Sequence, residues 1–593
     1  MCGINGFNFQ DEKLIKKMMI HTKNRGPDFN NFFQNEKITI GHDRLSILDL
    51  NERSNQPFCY KNLVLSFNGE IYNYKKLREE LVKEGYVFKT TSDTEVIIYL
   101  FHKYGFESFK KLSGIFAIAI WDNINETLYL VRDIVGVKPL YYSELPKNKI
   151  IFSSSIKSIL SLNNQNTLNE KALFYYKNIG RNEGAETFFS GIYKLLPGEI
   201  LIQKKDLPIK LFKLLKFNFK EENTKYSKKN ITDIIKSQFI SDVPIALSLS
   251  GGFDSNIIYK VMRENLNKEK YKIYSFYFHD YEKFNKDFNT AKKNCENFGD
   301  SVNQIEISYK EYQNNIEKVS EILEEPISNQ CSILNYVMAK NIREKVIMTG
   351  DGGDEIFGGY DHYKSAYIMQ TLSKINIFKS VFNFNTKYKN FNRLFFKNSK
   401  EFFVTFNEGN LMKDKHFYFK NFKNMSYEDI FLNHCQNYKL KNSLNDLLYM
   451  DIDTKIPNDF LRRNDNIFMN FGIEARVPYL DQNMIENYLF LSEKKKYNYL
   501  LKNKGFLKKI FKNDFFYLKE KHGLQSPLAK WMKNELQPFI RDILSESYYE
   551  GSKKIFNFAE LQKLIKKHKE SYYNPDLLWS CVCLQVFFRK FRL

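Results

Sequence analysis

Short apolar runs separated by turn residues fill about the first 195 positions of the chain. Residues 37–40, 63–67, 116–121, 128–131 and 150–152 have the length and content of strands. Helical patterns lie between them at 74–84 and 94–104, and Asp93 stands where it could cap the second. This part reads as sheets with helices outside. A turn, Leu196-Pro197-Gly198, and a charged, weakly periodic stretch at 204–229 then mark a boundary. Beyond Ile231 the rhythm changes. A buried run at 245–249 follows Asp242-Val243-Pro244 and leads into a Gly-rich turn and a helix. Residues 273–278 and 346–348 are two further buried runs, again separated by helical stretches. That alternation predicts a parallel, doubly wound sheet. Residues 367–448 are rich in Phe, Asn and Lys, read as helical and carry no chemistry that can be assigned. The run 577–588 is apolar enough for a buried helix and too short to span a bilayer.

Composition changes this picture little. With 593 residues, two or more domains are expected, and 43% apolar content is ordinary for globular chains. The formal charge is +21, yet the lysines are scattered, so a compositional bias explains them better than a nucleic-acid-binding arm. Cys2, Cys59, Cys295, Cys331, Cys435, Cys581 and Cys583 are odd in number and contain no CxxC pair. They point to a reduced cytosolic protein without a cysteine zinc site. No signal peptide and no run of about 18 apolar residues stands out, so neither secretion nor a membrane span is expected.

Chemistry enters at Cys2. Removal of Met1 would expose its α-amine, whose pKa of ~7.7–8.0 suits it to act as base for its own thiol. Alone, a cysteine at position 2 would be incidental. Three segments accompany it: Gly41-His42-Asp43-Arg44-Leu45-Ser46-Ile47-Leu48-Asp49, Asn68-Gly69-Glu70-Ile71-Tyr72-Asn73, and Ser92-Asp93. In order and spacing they resemble the N-terminal-nucleophile glutaminase domain of class II glutamine amidotransferases. Arg44 suits the glutamine carboxylate, Asp93 and Glu70 suit its ammonium, and Asn68 with the Gly69 N–H suits the oxyanion. The resemblance also places Leu45, Ser46, Ile47 and Leu48 in the glutamine pocket and Arg25-Gly26-Pro27-Asp28 in a loop nearby. The stretch from Arg132-Asp133 to Tyr141 matches too and reads as a structural turn and strand.

A second set of motifs follows the boundary. Ser250-Gly251-Gly252-Phe253-Asp254-Ser255 comes after a strand and opens a helix, which makes an anion cradle. Ser250 and Ser255 can donate to phosphate, and Asp254 can hold Mg²⁺. The pattern resembles the PP-loop of ATP pyrophosphatases, enzymes that transfer AMP to an acid. Thr349-Gly350-Asp351-Gly352-Gly353-Asp354-Glu355 follows the next strand, and its three acids call for a cation. With Asp465 and the run from Gly472 to Asp481, these motifs resemble the glutamine-hydrolysing asparagine synthetase family. That resemblance implies nucleotide contacts from Leu249, Phe276, Thr349 and Gly350, an adenylation role for Asp351, and a second Mg²⁺ ligand in Asp354. Arg476 and Lys521 read as facing either phosphate or substrate carboxylate, or as structural ion pairs.

The resemblance implies an α+β N-terminal-nucleophile sandwich at 2–200. It implies an α/β doubly wound parallel sheet with a helical C-terminal part at 215–593. It implies amidation of L-aspartate to L-asparagine through an acyl-adenylate, with ATP and Mg²⁺, ammonia drawn from glutamine through an internal channel, no nucleic acid or membrane partner, and room for a homodimer. The alternative is the same chemistry on another carboxylate, such as a uronic acid of a nucleotide sugar or surface polysaccharide. Asn256 replaces a second serine of the PP-loop, Asn466 stands where many relatives carry a basic residue, and Phe284-Asn285-Lys286-Asp287 departs from the family's usual acidic stretch. Arg462 and Arg463 are candidates to replace the missing cation. A cyclising synthetase without glutaminase activity fits poorly with intact Cys2, Arg44, Asn68 and Asp93, as does a basic binding protein with two complete sites.

Overall fold

The computed structural model describes residues 2–162, 166–219, 226–373, 415–421, 423, 443–497, 502–512, 514 and 526–593. In the N-terminal half the strands are β1 (Cys2–Phe7), β2 (Phe29–Gln34), β3 (Thr39–Arg44), β4 (Phe58–Tyr60), β5 (Leu63–Ile71), β6 (Gly114–Asp122), β7 (Thr127–Arg132), β8 (Tyr141–Leu145), β9 (Lys149–Ser153), β10 (Tyr193–Lys194), β11 (Glu199–Lys204) and β12 (Lys210–Lys213). They form two sheets, in the orders β10-β8-β9-β1-β3-β2 and β12-β11-β7-β6-β5-β4. Every pairing in them is antiparallel.

Alternation explains how the sheets stack. Ile4, Ile40, Ile150 and Phe152 from the first sheet, with Ile38 just before β3, meet Val64, Ala117, Ala119, Trp121 and Leu130 from the second in an apolar layer. The opposite faces take helices. Leu14, Ile15, Met18 and Met19 of Glu12–Thr22 cover Phe7 and Ile151, while Val96, Ile97 and Leu100 of Asp93–Tyr104 join the core with Leu65 and Phe67. The capping expectation needs correction. Ser92 is the N-cap of Asp93–Tyr104 and accepts from Thr94 N, so Asp93 is the first helical residue and its carboxylate is free to turn elsewhere.

The C-terminal half holds a third sheet of β13 (Ile245–Ser248), β14 (Tyr271–Phe278), β15 (Asn303–Ile307), β16 (Val346–Met348) and β17 (Glu474–Arg476), ordered β15-β14-β13-β16-β17 and parallel throughout. Both faces are covered, as an all-parallel sheet requires. Leu247, Ile273 and Met348 pack with Ile257, Ile258 and Val261 of the helix Phe253–Asn265; Ala246, Ile305 and Ile347 pack with Ile316, Val337 and Phe468 on the other face. The apolar tail becomes the buried helix Pro575–Phe591. Among the described residues no helix is long and apolar enough to cross a membrane.

Candidate active sites

Strand pairing builds the first site. Cys2 lies opposite Arg44, since β1 and β3 are neighbours, and it is buried. Its backbone nitrogen donates to Asn68 Oδ1 at 3.0 Å, and its carbonyl accepts from Arg25 Nε at 3.3 Å. Asn68 Nδ2 is buried and has no hydrogen-bond partner among the described residues. Gly69 is required by space: a Cβ there would lie 2.0 Å from Ile115 O across the β5–β6 pair. Arg44 spends both terminal nitrogens on the loop that follows it. NH1 donates to Asn51 O and Asn55 Oδ1, and NH2 to Leu48 O and Asp49 O. Leu45 and Ile47 are buried in this loop, while Ser46 and Leu48 are half-buried.

Two buried acids sit beside this centre. Asp93 Oδ2 accepts from Ile71 N at 2.9 Å, yet burial pushes its carboxyl up to about 6. Glu70 is raised well above the usual range by burial and by the charge of Asp93, against the pull of Arg476. His42, from the same motif, is wholly enclosed, and burial drops it to about 3, so it is neutral and bonds Ser66.

Arg476 is an ion-pair residue and does not line the cavity of the second site. It is fully buried, and its Nε meets Glu474 Oε1 at 2.5 Å while NH2 meets Glu70 Oε2 at 2.9 Å. NH1 donates to the carbonyls of Gln238 and Ile240, both at 2.6 Å. Its own carbonyl accepts from Thr349 N at 3.0 Å. One residue therefore touches both motif sets. Asp465 also turns toward the first site, pairing with Arg25 at 2.6 Å and with the enclosed Lys138 at 3.4 Å.

The second site lies at the C-terminal ends of β13, β14 and β16, where ligands of open α/β sheets bind. A cavity of about 750 Å³ is lined by residues 250–255, Phe276, Thr349, Gly350, Asp351 and Asp354. Leu249 points into the core instead and does not line it. Ser250 and Ser255 join through their hydroxyls at 3.1 Å, and a Cβ at Gly251 would strike Asp287 O at 2.3 Å. The acids of the 349–355 loop separate. Asp351 accepts from Thr349 Oγ1 and Asn464 Nδ2, Asp354 meets Lys504, and Glu355 turns into the protein, where burial pushes it up to about 7. Lys504 Nζ also bonds Asp254, so one ammonium bridges two carboxylates. Nothing in the flanking sequence singled out this lysine.

The sequence departures resolve in the same way. Asn256 bonds Gly252 O and Asn294 and is enclosed. Asn466 bonds Leu323 O away from the cavity. Arg462 pairs with Glu325, so it is committed elsewhere, whereas Arg463 lines the cavity and pairs with Asp459 at 2.9 Å. Lys521 lies outside the described residues. Ile179, Gly180 and Arg181, which end the N-terminal helix Glu170–Ile179, form part of the cavity wall, and Ser328 N donates to Gly180 O at 3.0 Å.

Known protein families match successive parts of the chain. A family described as glutamine amidotransferase domain matches residues 1–212, and one described as asparagine synthase matches 228–589. Asparagine synthetase [glutamine-hydrolyzing] 1 of Bacillus subtilis is 30% identical, over 99% of this chain and 96% of its own length. Asparagine synthetase [glutamine-hydrolyzing] 3 of the same organism is 29% identical over 62% of this chain and 64% of its own. Amidase chry2 of Gibberella zeae is 24% identical over 96% and 91%. The chain thus belongs to the glutamine-hydrolysing asparagine synthetase family, ligases that use ATP and perform glutamine-dependent amidation.

Proposed function

We propose that this enzyme amidates L-aspartate to L-asparagine, with residues 2–200 as glutaminase and 215–593 as synthetase. The observation that carries the coupling of two sites is Arg476, whose guanidinium bonds Glu70 and whose carbonyl holds Thr349. The relatives named asparagine synthetase support aspartate as acceptor.

With Met1 removed, the Cys2 α-amine takes the thiol proton and sulfur attacks the glutamine amide. Asn68 Nδ2 and the Gly69 N–H hold the oxyanion that forms. Asp93 and Glu70 hold the substrate ammonium, and Arg44, its terminal nitrogens on the loop's own carbonyls, shapes the stretch Leu45, Ser46, Ile47 and Leu48 that frames its carboxylate. Ammonia leaves, and water releases glutamate from the thioester. At the second site the acceptor carboxylate attacks the α-phosphorus of ATP and pyrophosphate departs. Ammonia then attacks the acyl carbon and AMP leaves. Ser250, Gly251, Gly252 and Ser255 cradle the phosphates, Phe276, Thr349 and Gly350 receive the nucleoside, and Asp351, which accepts from Thr349 and Asn464 at the cavity wall, serves the adenylation step. Asp254 and Asp354 already converge on one cation, which fits Mg²⁺, a hard ion that favours carboxylate oxygens. These two carboxylates would hold it; no larger group of acid, His or Cys side chains that could hold a metal occurs among the described residues. When bound, Mg²⁺ neutralises phosphate charge.

The second reading keeps this chemistry and changes the acceptor to a uronic acid or similar carboxylate. The near-full-length relative named an amidase favours it. The test is pyrophosphate release with MgATP and glutamine across a panel of acids. Release that requires aspartate and yields asparagine is expected. Release with a sugar acid and none with aspartate moves the acceptor to the second reading.

A further inference from the structure

The loop after β3 turns back at Asp49, whose φ of 45° is a left-handed conformation that a non-glycine residue holds only under constraint. The constraint comes from several sides. Arg44 NH2 donates to Asp49 O at 2.5 Å, Thr91 N donates to Asp49 Oδ2 at 2.7 Å, and Arg53 pairs with the same carboxylate. The Asp49 N–H is taken by Asp242 Oδ2 at 2.8 Å, and Asp242 N donates back to Ile47 O at 3.0 Å. One residue earlier, Ser46 N donates to Asp28 Oδ2 at 2.7 Å, and that oxygen pairs with Lys345, also at 2.7 Å.

Two of these braces come from the C-terminal half. Asp242 lies three residues before β13, and Lys345 lies directly before β16. The same strands end at residues 250–255 and 349–351, the loops of the large cavity. The strands therefore brace the loop at one end and carry the nucleotide motifs at the other.

We propose that the synthetase half gives the glutamine loop its bound shape, with Asp242 as the positioning residue. The inference rests on the reading of residues 44–48 as the glutamine-carboxylate loop. Without Asp242, Asp49 loses the acceptor for its N–H and relaxes from the left-handed conformation. The carbonyls arranged around Arg44 then disperse, while Cys2 and Asn68, bonded through β1 and β5, stay in place. Glutamine binding suffers and the chemical step does not.

The experiment uses the full-length protein with Asp242→Ala, Lys345→Ala and Asp242→Asn. Steady-state glutamine hydrolysis is measured beside pyrophosphate release driven by ammonium chloride, with the acceptor identified in the acid panel. Asp242→Ala is expected to raise the KM for glutamine roughly tenfold with kcat within about twofold, the size of one charge-assisted hydrogen bond. Lys345→Ala, whose ion pair is partly exposed, should raise it about twofold. Asp242→Asn retains an oxygen acceptor and should stay near the parent. The ammonia-driven rate should not move. An unchanged glutamine KM in Asp242→Ala overturns the proposal while leaving the glutaminase reading standing. Equal loss of glutamine- and ammonia-driven rates also overturns it, because that marks general damage. If Cys2→Ala still hydrolyses glutamine, the glutaminase reading falls and this inference with it.

Discussion

Two carboxylate pairs in this molecule each share one cation, and the choice of cation differs. Glu70 and Glu474 share Arg476; Asp254 and Asp354 share Lys504. The guanidinium is saturated, with Nε and NH2 on carboxylates and NH1 on two carbonyls. Its flat fork matches those partners, and the side chain is fully buried. Lys504 lines the cavity and offers a point charge on a flexible stem. The first arrangement is a permanent brace between the halves. The second holds its two acids at the cavity wall, and under the proposed function it shares them with Mg²⁺. Similar charges thus serve fixed assembly at one place and exchange at the other.

Breaking the brace should have the largest effect. Arg476→Met leaves Glu70 and Glu474 buried without a partner, a change that costs about 3–5 kcal/mol in comparable settings. Thermal unfolding should drop steeply, and glutamine- and ammonia-driven activity should fall together. Lys504→Ala tests the other cation. Pyrophosphate release should fall about 100-fold or more through loss of transition-state charge neutralisation, with glutamine hydrolysis nearly intact. Its unfolding temperature should rise with added Mg²⁺ more than the parent's does; equal responses would remove the idea of a shared cation site.

The smallest effect expected is a pH dependence confined to the first site. Asp93 must be ionised to hold an ammonium, and burial has pushed it up to about 6. The kcat/KM for glutamine should therefore fall about tenfold per pH unit below about 6. The sign for stability runs opposite. A folded carboxyl that keeps its proton more tightly than the unfolded one makes the fold less stable as pH rises from about 4 to about 6. A flat kcat/KM profile down to pH 5 would remove Asp93 from ammonium recognition.

The sequence marked β13, β14 and β16 because buried parallel strands are short apolar runs. It passed over β15, an edge strand with three exposed residues of five, and β17, three residues of which two are charged and enclosed. Motif order brought Cys2, Arg44, Asn68, Glu70 and Asp93 to notice, and the structure gathers them. Lys504 escaped notice because its partners lie 250 and 150 positions away. Arg25 and Asp465 are likewise 440 positions apart. Such pairs carry no local periodicity, so only the folded chain reveals them. Arg476 was visible as a motif residue, but its direction depends on which strand edge meets Glu70.

The cavity wall formed by Ile179, Gly180 and Arg181 bears on how members of this family can be recombined. These residues lie at the end of the helix Glu170–Ile179 of the N-terminal half, yet they border the cavity lined by residues 250–255 and 349–351. A chimera that borrows its first 200 or so positions from a relative imports part of this cavity's wall as well. The N-terminal halves of relatives are therefore not interchangeable cartridges, because a hybrid changes the wall of this cavity without one substitution in residues 250–255 or 349–355.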